Sequence, residues 1–194
     1  ANDLIVNGGA LTATDGFITV SGDMALSASG VLNAPDADGS FSVGGVWDSS
    51  GGTFTNNAGT VTLTATGAVN FTPGSGAFHD LTCNGSGGSW ALQAALTVND
   101  DFIVTAGTFN AGGYGMTVKG DWDIDSVNGA FSGSNTVTFS ATTGSPVIDS
   151  GGSSFNNVVF NDAGGNITWN LDTSAFTAGG SLTISGGTLD LNGQ

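Results

Sequence analysis

The sequence predicts an all-β chain folded as a parallel β-solenoid (β-helix) of about nine to ten rungs, and three observations point there. The segment Phe17-Ile18-Thr19-Val20-Ser21-Gly22-Asp23-Met24 recurs as Phe41-Ser42-Val43-Gly44-Gly45-Val46-Trp47-Asp48 and again as Met116-Thr117-Val118-Lys119-Gly120-Asp121-Trp122-Asp123. Short stretches alternate apolar and polar residues, the signature of strands with one buried face. Strong helix formers are missing: there is no Glu, no Arg and a single Lys, while 34 Gly supply turns.

The strands open at Leu4, Ile18, Phe41, Val61, Leu81, Phe102, Met116, Val137, Val158 and Leu182. Most of these starts lie 20 to 24 residues apart, but Leu4 to Ile18 and Phe102 to Met116 are separated by only 14. Alternation assigns the inward pairs Leu4/Val6, Ile18/Val20, Phe41/Val43, Val61/Leu63, Leu81/Cys83, Phe102/Val104, Met116/Val118, Val137/Phe139, Val158/Phe160 and Leu182/Ile184. Between them the outward residue is Ile5, Thr19, Ser42, Thr62, Thr82, Ile103, Thr117, Thr138, Val159 or Thr183, mostly β-branched, as a sheet surface favours. The competing architecture is a set of antiparallel β-sandwich repeats, which also has regular strands and Gly-rich turns. A sandwich gives no reason for the same side chain to return at the same place in each rung.

Longer matches organise the chain. Leu4–Leu26 aligns without gaps on Phe102–Ile124, and a second register sets Trp47 over Trp122, "TVTLTATG" at Thr60 over "TVTFSATTG" at Thr136, and Phe78-His79-Asp80-Leu81 over Phe155-Asn156-Asn157-Val158. Residues 1–194 therefore read as one elongated repeat domain: a partial unit 1–40 and long units 41–115 and 116–194.

The formal charge of −15 repels phosphate backbones and anionic headgroups, so nucleic acid is an unfavourable partner. No apolar run approaches the roughly 20 residues of a membrane-spanning helix, so no membrane insertion is expected. Cys83 is the only cysteine, which excludes an internal disulfide. The start Ala1-Asn2-Asp3 lacks an initiator Met, which suits an exported mature form or a fragment of something longer.

The segments "ISGGTLDLNGQ" at the C-terminus, "MTVKGDWDI" at Met116 and "NTVTFSATTG" at Asn135 resemble the Gly/Thr/Asn-rich β-solenoid repeats of bacterial cell-surface proteins, of the adhesin and extracellular-filament type. The resemblance spans essentially the whole chain. It implies an exported, elongated, structural or adhesive module, and it carries no catalytic residues to transfer.

Candidate chemistry is sparse. Asp121, Asp123 and Asp125 alternate with Trp122 and Ile124, so on a strand they share an outward face and form the one Ca²⁺ candidate; the plainer reading is a solvated acidic edge. No other cofactor is expected. Asp36-Ala37-Asp38-Gly39 reads as turn chemistry. His79 and Cys83 have the residue types of a base and nucleophile, yet Cys83 falls on the inward parity beside Leu81 and no third group is placed to orient them. A solenoid lyase would need cationic side chains, which one Lys cannot supply. A glycosidase carboxylate pair cannot be located among sixteen Asp. The tryptophans read as space-fillers inside the coils before they read as a sugar-stacking platform, with glycans a minor partner class. A flat ice-binding face fits poorly, because the second outward column, Asn7, Ser21, Gly44, Thr64, Asn84, Thr105, Lys119, Ser140, Asn161 and Ser185, is irregular.

Leu182–Gln194 matches the start of the chain at Leu4, and no helix, Pro cluster or charged segment reads as a cap over either terminal strand. The expectation is a non-enzymatic, extracellular or cell-surface subunit that joins copies of itself head to tail, with Leu4, Val6, Leu182 and Ile184 at the joint. The alternatives are a repeat segment of a large adhesin and, less favoured, a carbohydrate-binding or carbohydrate-degrading β-helix.

Overall fold

The computed structural model describes residues 2–172 and 174–193. Among them there is no helix, and the strands wind into a β-solenoid of about nine turns. Every strand pair is parallel, which removes the antiparallel sandwich.

Three faces run along the stack. The first begins with Leu4–Asn7, which pairs with Met24–Ser27 and then Trp47–Asp48 and Ala68–Thr72. The second starts with Ala10–Thr12, Val31–Asn33 and Thr53–Thr55. It crosses an irregular coil in which the Asn56 side-chain amide donates to the Ala77 carbonyl and Phe78 bridges to Val98. From there it continues through Leu96–Val98, Met116–Val118, Thr136–Phe139, Asn157–Phe160 and Leu182–Ile184. The third carries Phe17–Val20, Ser40–Val43 and Thr60–Leu63, and later Trp122–Ile124, Val147–Asp149, Thr168–Leu171 and Thr188–Asp190. Two long strands, Asp80–Leu92 and Phe102–Asn110, turn the corner from the third face to the first, with register breaks between Cys83 and Ser89.

The ten strand starts found by periodicity do not form one column. Ile18, Phe41, Val61, Leu81 and Phe102 stack directly on the third face. Leu4 belongs to the first face, whereas Met116, Val137, Val158 and Leu182 belong to the second. Both 14-residue intervals are thus steps between faces, while the 20-residue intervals are whole coils. Likewise the gapless match of Leu4–Leu26 to Phe102–Ile124 lays one face on its neighbour.

Of the twenty inward side chains, sixteen are buried, Leu4 and Ile18 are partly buried against the core, and Leu182 and Ile184 are exposed. The four exceptions all lie in the first and last coils. Inside, the aromatic rings form a continuous pile. Trp47 meets Phe41, Phe54 and Phe78 at centroid separations of 5.4, 5.0 and 5.0 Å, and Trp122 meets Phe102, Phe131 and Phe155 at 4.7, 4.8 and 5.2 Å. Each indole therefore ties rings from several strands and coils, filling a width that aliphatic pairs would leave open.

Corners are held by a recurring carboxylate device. A strand entering a face needs a partner for its first amide, because the preceding turn cannot supply a ladder bond. The Asp3 carboxylate accepts the Asp23 N–H at 3.0 Å, and Asp23 accepts the Val46 N–H at 2.8 Å. Along the third face, Asp80, Asp101 and Asp121 accept the amides of Asp101, Asp121 and Val147 at 3.2, 2.7 and 2.8 Å. Asn157 does the same for Ser181 on the second face at 2.9 Å. Over these side-chain oxygens lie Gly22, Gly45, Gly120 and Gly180, where any Cβ would overlap the oxygen from the coil below.

Asp23→Ala is therefore expected to cost about 1 kcal/mol by stranding the Val46 amide, with Asp23→Asn largely restoring it. Gly45→Ala, whose Cβ would also meet the Gly22 backbone, should cost about 2–4 kcal/mol. Urea-unfolding midpoints of the three variants check the order.

Candidate functional sites

The C-terminal coil presents the largest apolar departure from the buried pattern. Thr177–Ala178, Leu182–Ile184 and Thr188–Asp190 each pair on one side only, with Ser154–Phe155, Asn157–Phe160 and Thr168–Leu171. Leu182 and Ile184 stand in register with the fully buried Val158 and Phe160, yet they are 49% and 50% exposed because no described coil lies above them. Leu191 adds a third half-exposed apolar side chain, beside the groove lined by Leu171, Ala175 and Phe176. At the opposite edge Val6 is buried and Leu4, Leu11 and Ile18 are partly buried, while Phe17 and Ile5 point outward into solvent. Of the four residues expected at a joint, Leu4 and Val6 sit on the first face and Leu182 and Ile184 on the second, so they do not face one another across a coaxial junction. Strand parity, blind to which face a strand occupies, could not distinguish these.

The Asp121, Asp123 and Asp125 carboxylates are divided among separate tasks. Asp121 accepts the Val147 N–H. Asp125 accepts the N–H groups of Val127 and Asn128 at 2.9 and 2.7 Å, and the Asn128 and Val127 amides hold its carboxyl below the usual carboxylate range. Asp123 projects from mid-strand, where its register partner is Asp149. Partial burial, followed by repulsion from Asp149, Asp125, Asp172 and Asp121, pushes its carboxyl up.

His79 and Cys83 are on opposite sides of the wall. Cys83 is fully buried between Leu63 and Val104 in the third-face ladder, and burial raises its thiol well above the ordinary value, so it is a core side chain and a poor nucleophile. His79 lies at the corner entering the third face, beside Asp80 and near Asp100 of the next coil. Together His79, Asp80 and Asp100 bring ligand atoms within 4.8 Å of one another, the one such group of three among the described residues. The alignment of His79 with Asn156 gives no hint of this, because Asp100 is 21 residues on and meets His79 only through the coil spacing.

All four tryptophans are fully buried, so none offers a ring for sugar stacking. The outward column also divides between faces: Ile5 lies on the first, Thr19, Ser42, Thr62, Thr82 and Ile103 on the third, and Thr117, Thr138, Val159 and Thr183 on the second, where Thr97 stacks next to Thr117.

Comparison with family models, with curated proteins and with solved structures finds no match to this chain.

Asp123→Asn is expected to raise stability at neutral pH by up to about 1 kcal/mol, a modest figure because the group is largely solvated. A raised carboxyl favours the folded state when protonated and loses that contribution as pH rises through its folded value. The gain should therefore shrink as the medium is acidified and the parent carboxyl takes up its own proton. Thermal unfolding of both chains across pH 3 to 7 measures the difference, on the scale of ordinary carboxylate titration.

Proposed function

We propose that this chain is a structural subunit of an extracellular fibre or surface appendage, and that copies join head to tail along the solenoid axis. The observation carrying the proposal is the half-exposure of Leu182 and Ile184 on a strand that continues the buried Val158/Phe160 column. A strand edge with free backbone groups above an apolar floor is a template for one more parallel strand. A coaxial copy would set its Leu4–Asn7 strand over Thr177–Ala178, its Ala10–Thr12 strand over Leu182–Ile184, and its Phe17–Val20 strand over Thr188–Asp190. Each face then meets its own continuation, and Leu11 covers the ledge formed by Leu182 and Ile184. Extracellular placement is favoured by the unopposed acidic surface and the resemblance to surface-protein repeats. The same apolar ledge is also what further coils of one long adhesin would cover, which makes a repeat segment the second reading.

Electrostatics oppose the joint, since each copy carries a formal charge of −15. Sedimentation velocity and electron microscopy of the purified 194-residue chain are expected to show linear oligomers that lengthen with concentration and with salt. Their axial repeat should be about 43 Å, from about nine coils at roughly 4.8 Å each. Ile184→Asp should shorten or abolish them without loss of the folded β signal. Strictly monomeric chains at high concentration and high salt would overturn the fibre and leave the repeat-segment reading standing.

A further inference from the structure

We propose that His79, Asp80 and Asp100 form a structural site for a divalent first-row transition-metal ion that clips two successive coils near the middle of the solenoid. This proposal is independent of how, or whether, the ends assemble. His79 and Asp80 enter the third face in one coil, and Asp100 precedes the same face one coil later, where the Asp101 amide is bonded to the Asp80 carboxylate at 3.2 Å. The imidazole stands between the two carboxylates: Nδ1 is 3.2 Å from Asp80 Oδ1 and Nε2 is 3.9 Å from Asp100 Oδ2.

Three features mark a ligand set and set it apart from an ordinary acidic corner. Nδ1 of His79 is shielded from solvent and makes no aligned hydrogen bond despite its closeness to Asp80, so a basic or donor atom is left without a satisfied partner. Asp80 is held in place from outside the cluster, since its second oxygen accepts the Thr60 hydroxyl at 3.1 Å. Such an outer contact is how a ligating carboxylate is oriented. The Asp100 side chain is 51% exposed and accepts no hydrogen bond among the described residues, so it can swing the short distance that converging on a shared ion requires.

The surrounding charge is also unbalanced. Asp101 lies beside the cluster, its amide bonded to the Asp80 carboxylate, and adds a further acidic side chain to the same corner. Lys119, the only lysine, bonds the Asn99 side-chain carbonyl at 2.8 Å and pairs with none of these carboxylates. A divalent ion would supply the missing positive charge. One imidazole with two carboxylates suits Zn²⁺, Mn²⁺ or Co²⁺ better than Ca²⁺, whose sites are built from oxygen ligands. Water would complete the coordination on the open side, away from the core.

The single histidine makes the test specific. The chain is stripped with a chelator and titrated with Zn²⁺, following the His79 ring by nuclear magnetic resonance and heat by calorimetry. One equivalent is expected to shift the His79 ring signals and to raise the thermal midpoint. His79→Gln and Asp100→Asn should each weaken binding at least tenfold while keeping the parent's β-sheet spectrum, and Ca²⁺ should leave the ring signals in place. Ring signals unmoved by one equivalent of Zn²⁺, or equal Zn²⁺ affinity in parent and both variants, would overturn the site and mark any uptake as diffuse adsorption to the acidic surface.

Discussion

The stack depends on how each coil starts its next strand. A parallel ladder gives every mid-strand amide a partner one coil away, but a corner interrupts that ladder and leaves the first amide exposed to loss of its bond. Here a carboxylate or amide oxygen from the coil below fills the place, and a glycine in the coil above leaves room for it. The Gly-Asp dipeptides at Gly22-Asp23 and Gly120-Asp121 combine both halves: the Gly admits the oxygen from beneath while the Asp reaches upward. Acidic side chains so placed serve register first, and much of the chain's negative charge is a by-product of turning corners.

Between corners the aromatic pile fixes the width of the coils. Trp47 and Trp122 bring together rings separated by up to 33 residues in sequence, such as Trp122 and Phe155. No single coil could bury such a ring, so stability is shared between neighbours. Among the described residues Ser49 is the one polar group drawn into this interior to serve an indole, accepting from Trp47 at 3.0 Å while its oxygen also receives the Gly74 amide. The indole N–H groups of Trp90, Trp122 and Trp169 have no such partner among the described residues, a cost of order 1–3 kcal/mol each that ring packing must outweigh.

Strand parity was legible in the residues themselves. Pairs such as Val61/Leu63 and Val137/Phe139 alternate cleanly and are buried as the pattern requires. What alternation cannot convey is which face a strand occupies, since Leu4 and Ile18 look alike in sequence yet stand a corner apart. Strands of two or three residues, such as Trp47–Asp48 and Val31–Asn33, are too short to show a period at all. The His79 cluster was hidden for a different reason: its members are local in the stack and distant in the chain. The residues do carry one signal of the corners: an Asp or Asn directly precedes Leu4, Met24, Leu81, Phe102, Trp122 and Val158.

The offset between sequence repeat and spatial face has a further outcome. Because the Leu4–Leu26 and Phe102–Ile124 copies are turned by one face about the axis, a feature inherited with the repeat does not stay on one side of the rod. The hydroxyl-bearing row illustrates this, running along the third face through Thr82 and resuming on the second at Thr97. Chemistry written once per duplicated block is thereby spiralled around the shaft, so anything lying along this protein would meet it as a winding stripe.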